Sequence, residues 1–123
     1  MSVAVLIDRL SAECPIFQEV EEPTATNPME RDAYPVATVY PAARAPSGEI
    51  GGHQLAARRY AVLVTASGAA QLEDALAEIS VALDGWRPPA SAKPLRYVGG
   101  KLAKIDGVRL QWSDTWEFET CVS

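Results

Sequence analysis

Along residues 108–122, VRLQWSDTWEFETCV, six apolar side chains fall on even positions and six polar ones on odd positions. Val108, Leu110, Trp112, Trp116, Phe118 and Val122 line one face of a strand, and Arg109, Gln111, Ser113, Thr115, Glu117 and Glu119 the other. The reason is that successive strand side chains point to opposite faces. LRYVGGKLAKI, just upstream, is a second strand, and Asp106-Gly107 supplies the positive φ angles of a two-residue hairpin turn. Pairing 105 with 108 sets 103 opposite 110 and 101 opposite 112. Ile105, Ala103, Val108 and Leu110 then share a face, so pattern and register agree. Gly99-Gly100 interrupts the alternation and predicts a bulge.

The period changes elsewhere. Val3, Leu6, Ile7 and Leu10 recur at helical spacing over residues 2–12. In SGAAQLEDALAEISVALDGW, Leu72, Leu76, Ile79 and Leu83 form one stripe with Ala75 and Ala82 beside it. Burying the four large residues is worth about 6–12 kcal/mol of gross transfer free energy, enough to hold a helix on a sheet. Ser67 is the expected N-cap and Gly85 the expected stop, with Pro88 and Pro89 beyond. Glu73 and Asp74 near the start suit the helix dipole. The outer face, with Glu73, Asp74 and Glu78 and no base, reads as solvated, an acidic docking face being the other reading. ECPIFQEVEEP and AYPVATVYP are strand candidates, with Pro15, Pro35 and Pro41 at their ends. AARAPSGEIGGHQLAA, 42–57, reads as a long loop, and RRYAVLVTA, 58–66, as a central strand covered on both faces. The expected class is α+β: one domain over 1–123, a mostly antiparallel, mixed sheet with two helices packed on it, closed by the C-terminal hairpin.

Charge narrows the partners. The chain carries 11 Lys and Arg against 16 Asp and Glu, a net charge of −5. Arg44, Arg58 and Arg59 are too few for a phosphate-tracking surface, so no sequence-specific nucleic acid is expected. MSVAVLIDRL lacks the pattern of a signal peptide, and no segment is long enough to span a membrane. Cys14 and Cys121 stand at opposite ends; a disulfide is possible, but two ordinary thiols are the preferred reading.

Chemistry is sparse. His53 is the lone histidine, in a Gly-rich stretch with no nucleophile motif nearby. One His and two distant Cys make no metal-ligand spacing, and GEIGG at 48–52 and GG at 99–100 are not phosphate loops. No catalytic, metal or cofactor residue is assigned. Glu117 and Glu119 belong to the polar face and read as solvated. Asp114 interrupts the apolar face between Trp112 and Trp116. A bend or an exposed section is favoured there over a hydrogen bond to an indole. Trp112 and Trp116 read as core. Trp86 with Arg87, past the helix end, is a candidate contact, because interfaces enrich Trp and Arg. Arg44, Glu49, His53 and Arg58, in and beside the expected loop, complete the candidate interface.

The order of these segments resembles that of the phage tail terminator and tail-completion proteins. An N-terminal helix is followed by proline-bracketed strands, then RRYAVLVTA, then LEDALAEISVALDGWRP, then a hairpin ending in LQWSDTWEFET. The resemblance spans about residues 3–120 and rests on pattern and spacing, not on invariant chemistry. It implies a structural virion protein without enzymatic activity, assembled in the host cytoplasm. Such a protein forms a ring, usually a hexamer, on the head-proximal end of the tail tube. Its partners would be other copies of itself, the tail tube protein and the head–tail connector or neck protein. An acidic surface would suit a passage for DNA. A neck or head-closure protein of the same virion, and a small-molecule-binding α+β module with a pocket under the long loop, are the alternatives.

Overall fold

The computed structural model describes residues 2–50, 53–89, 91 and 93–122, with side chains described for all of these except 44–50, 53–56 and 120–122. Helix α1 (Val3–Glu13) leads through strand β1 (Glu19–Glu21) and a 3-10 turn (Pro28–Glu30) to the long strands β2 (Val36–Ile50) and β3 (His53–Ala66). Helix α2 (Ala69–Leu83), β4 (Arg96–Asp106) and β5 (Arg109–Val122) follow. The five strands form one sheet in the order β1-β2-β3-β5-β4. Only β1 and β2 run parallel; the other pairs are antiparallel. This is the expected α+β, mixed sheet with two helices and a closing hairpin.

The helices form where the apolar spacing predicts. Leu6 and Leu10 of α1 are buried, with Val3 and Ile7 packed beside them. Ser2 caps α1 by accepting a hydrogen bond from Val5 N at 3.4 Å. The α2 stripe buries Leu72, Ala75, Ile79, Ala82 and Leu83, with Leu76 at its margin. Its cap differs from expectation, since Gly68 and not Ser67 is the N-cap residue and offers no side-chain bond. Ser67 N and Oγ instead donate to Gln71 Oε1, at 2.8 and 3.0 Å. Because the helix starts at Ala69, Glu73 and Asp74 lie beyond its first turn and gain little from its dipole. Gly85 ends the helix as expected, at φ 74°.

Within the expected loop over 42–57, the described residues 42–50 and 53–57 are instead paired strand, the far parts of β2 and β3. Glycine and proline act as strand breakers in a central strand, but topology removes the penalty here. β1 pairs only with Val36–Thr38, so beyond Thr38 β2 is an edge strand, where Pro41 and Pro46 need no N–H for a neighbour. Register shifts between Pro41 and Ala43, and between Pro46 and Gly48, absorb the local irregularity. ECPIFQEVEEP contributes only three strand residues, because α1 runs on to Glu13 and Pro15 falls in a turn.

The closing hairpin turns at Gly107 and Val108, with Asp106 paired to Arg109 and Ile105 to Leu110. The expected 105–108 pairing is thus displaced, although Gly107 supplies the positive φ, 62°. Leu102 now pairs with Trp112, and the register shift between Tyr97 and Gly99 is the bulge that the glycines predicted. A second shift, between Leu102 and Lys104, keeps Leu102 and Ile105 on the same side.

One face of β2, β3 and β5 meets both helices. Ala37, Val39, Tyr60, Val62, Val64, Trp116 and Phe118 pack there against Leu6, Leu10, Leu72 and Ile79. Arg9 ties the helices together by donating from Nε to Ala82 O at 3.0 Å. On the other face Gln111 Nε2 donates to Thr65 Oγ1 at 3.2 Å, both side chains being buried. Arg109 donates to Met29 O at 2.8 Å and stacks over Tyr34, which fastens the 28–35 segment to this face. Cys14 is a buried free thiol, and burial is the main cause that pushes it up to about 11. The side chain of Cys121 lies outside the described residues.

Candidate interaction surface

The helix layer is narrower than the sheet. Two helices of about 10 Å each cover roughly four strands spaced about 4.8 Å apart. α1 packs on β1 and β2, and α2 on β3 and β5, so among the described residues the edge strand β4 lies beyond the helix layer. Register sets Tyr97 opposite Trp116, Leu102 opposite Trp112 and Ile105 opposite Leu110. These three therefore continue the apolar core face past the helices. Tyr97 and Leu102 are each 45% exposed, Ile105 61% and Val108, at the turn, 76%. A contiguous apolar strip of this kind on an open edge strand is characteristic of an interaction surface.

A buried carboxylate underlies the strip. Asp114 Oδ1 accepts from Trp112 Nε1 at 2.7 Å and from Tyr97 OH at 2.9 Å, while Asp114 itself is only 4% exposed. The Tyr97 ring lies tilted on Trp116, centroids 5.0 Å apart. The missing side chain at Gly100 leaves room for this cluster. A Cβ at Gly100 would fall inside contact distance of Asp114 Oδ1, 2.5 Å from Trp112 Nε1 and 2.7 Å from Tyr97 OH. Desolvation raises the Asp114 carboxyl above its ordinary value, against the lowering effect of its two hydrogen bonds. Burial and the bond to Asp114 push Tyr97 up to about 12. The reading of Asp114 as a bend or exposed section is thus replaced by the indole hydrogen bond, which together with the Tyr97 hydroxyl bond holds Trp112 and one residue of the strip, Tyr97, in place.

The opposite face is not the solvated wall expected. Glu117 is 7% exposed. It accepts from Arg96 Nη2 at 2.6 Å and from Arg59 Nε at 3.0 Å. The Arg96 hydrogen bond is the main cause that holds its carboxyl below the ordinary range, against desolvation. Glu119 meets Lys93 at 3.2 Å.

Charge is segregated along the chain. Between Gly85 and Gln111 six bases (Arg87, Lys93, Arg96, Lys101, Lys104, Arg109) accompany one acid, Asp106. Residues 1–32 hold seven acids and two bases, and α2 holds three acids and no base. The β4 edge is therefore basic in a chain that is acidic as a whole.

The candidate contact residues fall at two places. Backbone register sets Arg44 opposite Arg58 and Glu49 opposite Gln54 on the β2–β3 hairpin, with His53 opening β3. The side chains of Arg44, Glu49 and His53 lie outside the described residues. Arg58 is half-buried, and its register partner on β5 is Phe118. Trp86 turns inward against the core, with the Arg9 guanidinium 5.0 Å over its ring. Arg87 is exposed and its Nε donates to Ser91 O at 3.1 Å. The β4 strip was not singled out in the sequence. Its residues alternate well enough to be seen as a strand, but that this strand would be the unroofed edge is a matter of strand order.

Among the described residues no group of three or more His, Cys, Asp or Glu is placed to hold a metal ion, and no helix is long and apolar enough to cross a membrane. Described clefts hold about 160 Å³ beside Gly100, Lys101 and Ser113, and about 270 Å³ beside Gln18, Arg31 and Asp32. Both are smaller than the roughly 300–1,000 Å³ of small-molecule sites.

Compared with known proteins, residues 1–122 match the model of a family described as phage tail terminator protein. No curated protein matches the chain. Among solved structures it is similar to a chain from a structure titled "Virion of native gene transfer agent (GTA) particle". That match has 15% sequence identity and a TM-score of 0.70, and it covers 97% of this chain and 93% of the other. At that identity the likeness concerns the fold.

Proposed function

The chain belongs to the phage tail terminator family, and on that premise we propose that it is a structural virion protein that forms a ring on the head-proximal end of a tail tube. The ring, a hexamer, halts tube polymerisation on one side and presents a docking surface to the head–tail connector on the other. The observation that carries this reading is the family match over residues 1–122, nearly the whole chain. The unroofed strip on β4 supports it, since a subunit built to be covered by neighbours needs such a face. No catalytic step enters the role. The work is geometric: a rigid sheet and helix layer hold the ring, and the long β2–β3 hairpin, with Arg44, Glu49, His53 and Arg58, reaches the tube or a neighbour. Trp86 and Arg87, beside the segment that leads into β4, are further candidate contacts in the same ring.

The test is light scattering over a range of protein concentrations, alone and with purified tail tubes, with negative-stain images of the largest species. The expected result is a closed ring of about six subunits, in solution or on tube ends, and tubes that stop growing once capped. Tubes that elongate unchanged in a molar excess of the protein, with no ring at either end, would refute the role. Rings that bind the connector but never the tube would assign the chain to the neck instead.

A further inference from the structure

We infer that the uncovered face of β4 docks on the acidic outer face of α2 from a second copy of this chain, head to tail. The inference rests on the ring reading above and names the two surfaces that would close the ring.

Among the described residues both surfaces are exposed, and they differ, as a heterologous contact requires. The described large apolar side chains left in solvent are six. Five, Tyr97, Val98, Leu102, Ile105 and Val108, belong to the β4–β5 hairpin, and the sixth is Val81, 85% exposed on α2. Along α2, Ala70, Asp74, Ala77 and Val81 recur at helical spacing and all are exposed, with Glu73 beside them. This stripe is slim enough for close approach at Ala77 and carries its acids toward one end. β4 offers the complement: an apolar strip of Tyr97, Leu102 and Ile105, edged by exposed Lys101 and Lys104. Register places the two lysines on the other side of the strand, opposite Ser113 and Gln111. At an open edge, however, their long stems can reach round to an acid beside the strip.

The layer geometry supplies the space. The resident helices stop at β5, so a neighbour's helix laid over β4 would continue the same layer and complete the roof. Each copy then covers its neighbour's β4 and exposes its own to the next, so the contact repeats in one direction until the ring closes.

The test uses the full chain in two charge-reversed forms, Lys101→Glu/Lys104→Glu and Glu73→Lys/Asp74→Lys, plus Ile105→Asp. All five sites are exposed, so melting temperatures are expected to stay near that of the unaltered chain. Each form alone should assemble at least about tenfold more weakly. An equimolar mixture of the two charge-reversed forms should recover rings, because alternating copies restore opposite charge at every contact. Undiminished assembly by the single forms, or weakened assembly that the mixture fails to rescue, would overturn this docking and leave the ring reading standing. Absence of rings from the unaltered chain, with or without tubes, would remove both.

Discussion

Replacing Gly100 with alanine tests whether the Tyr97–Asp114–Trp112 cluster depends on the space that the missing side chain leaves. Gly100 does not lie among the positive-φ glycines, so backbone strain is not the issue. The added Cβ would meet Asp114 Oδ1, Trp112 Nε1 at 2.5 Å and Tyr97 OH at 2.7 Å, all inside normal contact distance. Two of the three atoms terminate rigid rings, so relief requires the rings to swing away from the carboxylate. Hydrogen bonds to a charged group contribute about 1.5–3 kcal/mol each, and water recovers part of that at a half-exposed edge. A loss of about 2–4 kcal/mol is expected. For a chain of this length that lowers Tm by about 10 °C. Thermal unfolding by circular dichroism measures it, with Gly68→Ser as the control. Gly68 has nothing within 4 Å of a built Cβ, and its change should stay within about 0.5 kcal/mol. The double variant Gly100→Ala/Asp114→Ala should lose less than the sum of its parts, because the smaller side chain removes one clash. A Gly100→Ala protein that melts within 1 °C of the unaltered chain, or strict additivity in the double variant, would refute the reasoning.

Asp114→Asn keeps an acceptor for Trp112 and Tyr97 and removes a carboxyl whose folded pKa is raised. The native contribution is therefore present below the ordinary carboxylate value and lost as pH rises through the raised one, so the variant should gain on the native protein from acid toward neutral pH in urea titrations. A constant difference, or one that shrinks with rising pH, contradicts this. Glu117→Gln acts in the opposite sense. Its folded pKa is lowered, so the native advantage exists above the ordinary value and fades as pH falls. With both arginines half-exposed, about 1–2 kcal/mol at neutral pH is the expected loss, measured by denaturant midpoint. Thr38 Oγ1 is buried without a hydrogen-bond partner among the described residues; Thr38→Val should raise stability by up to about 1 kcal/mol, read as a higher Tm.

Much of the local structure was legible because it follows from spacing. α1 and α2 appear where apolar residues recur every three or four positions, and Gly85 and Gly107 end a helix and turn a hairpin where only their backbone freedom suits. The bulge before Gly99 follows from the broken alternation. The misread parts share one cause. Whether 42–57 is loop or strand, and whether Pro41 is tolerated, depends on how far β1 runs alongside β2. The fate of Asp114 and Glu117 depends on residues distant in sequence, Tyr97, Arg59 and Arg96, brought near by strand pairing.

The sequence by itself determined the class of the fold, the two amphipathic helices, the alternation that makes a strand of 109–122 and the polarised charge, since each is set by the order of neighbours along the chain. Strand order was decided only in three dimensions. α2 carries the chain from β3 to the far edge, and β5 returns to fill the gap, so β4 and not β5 is left beyond the helices. Hydrophobic burial acts without direction and rewards covered area. Two helices cover four strands, and what they cannot reach becomes the surface available to a neighbour.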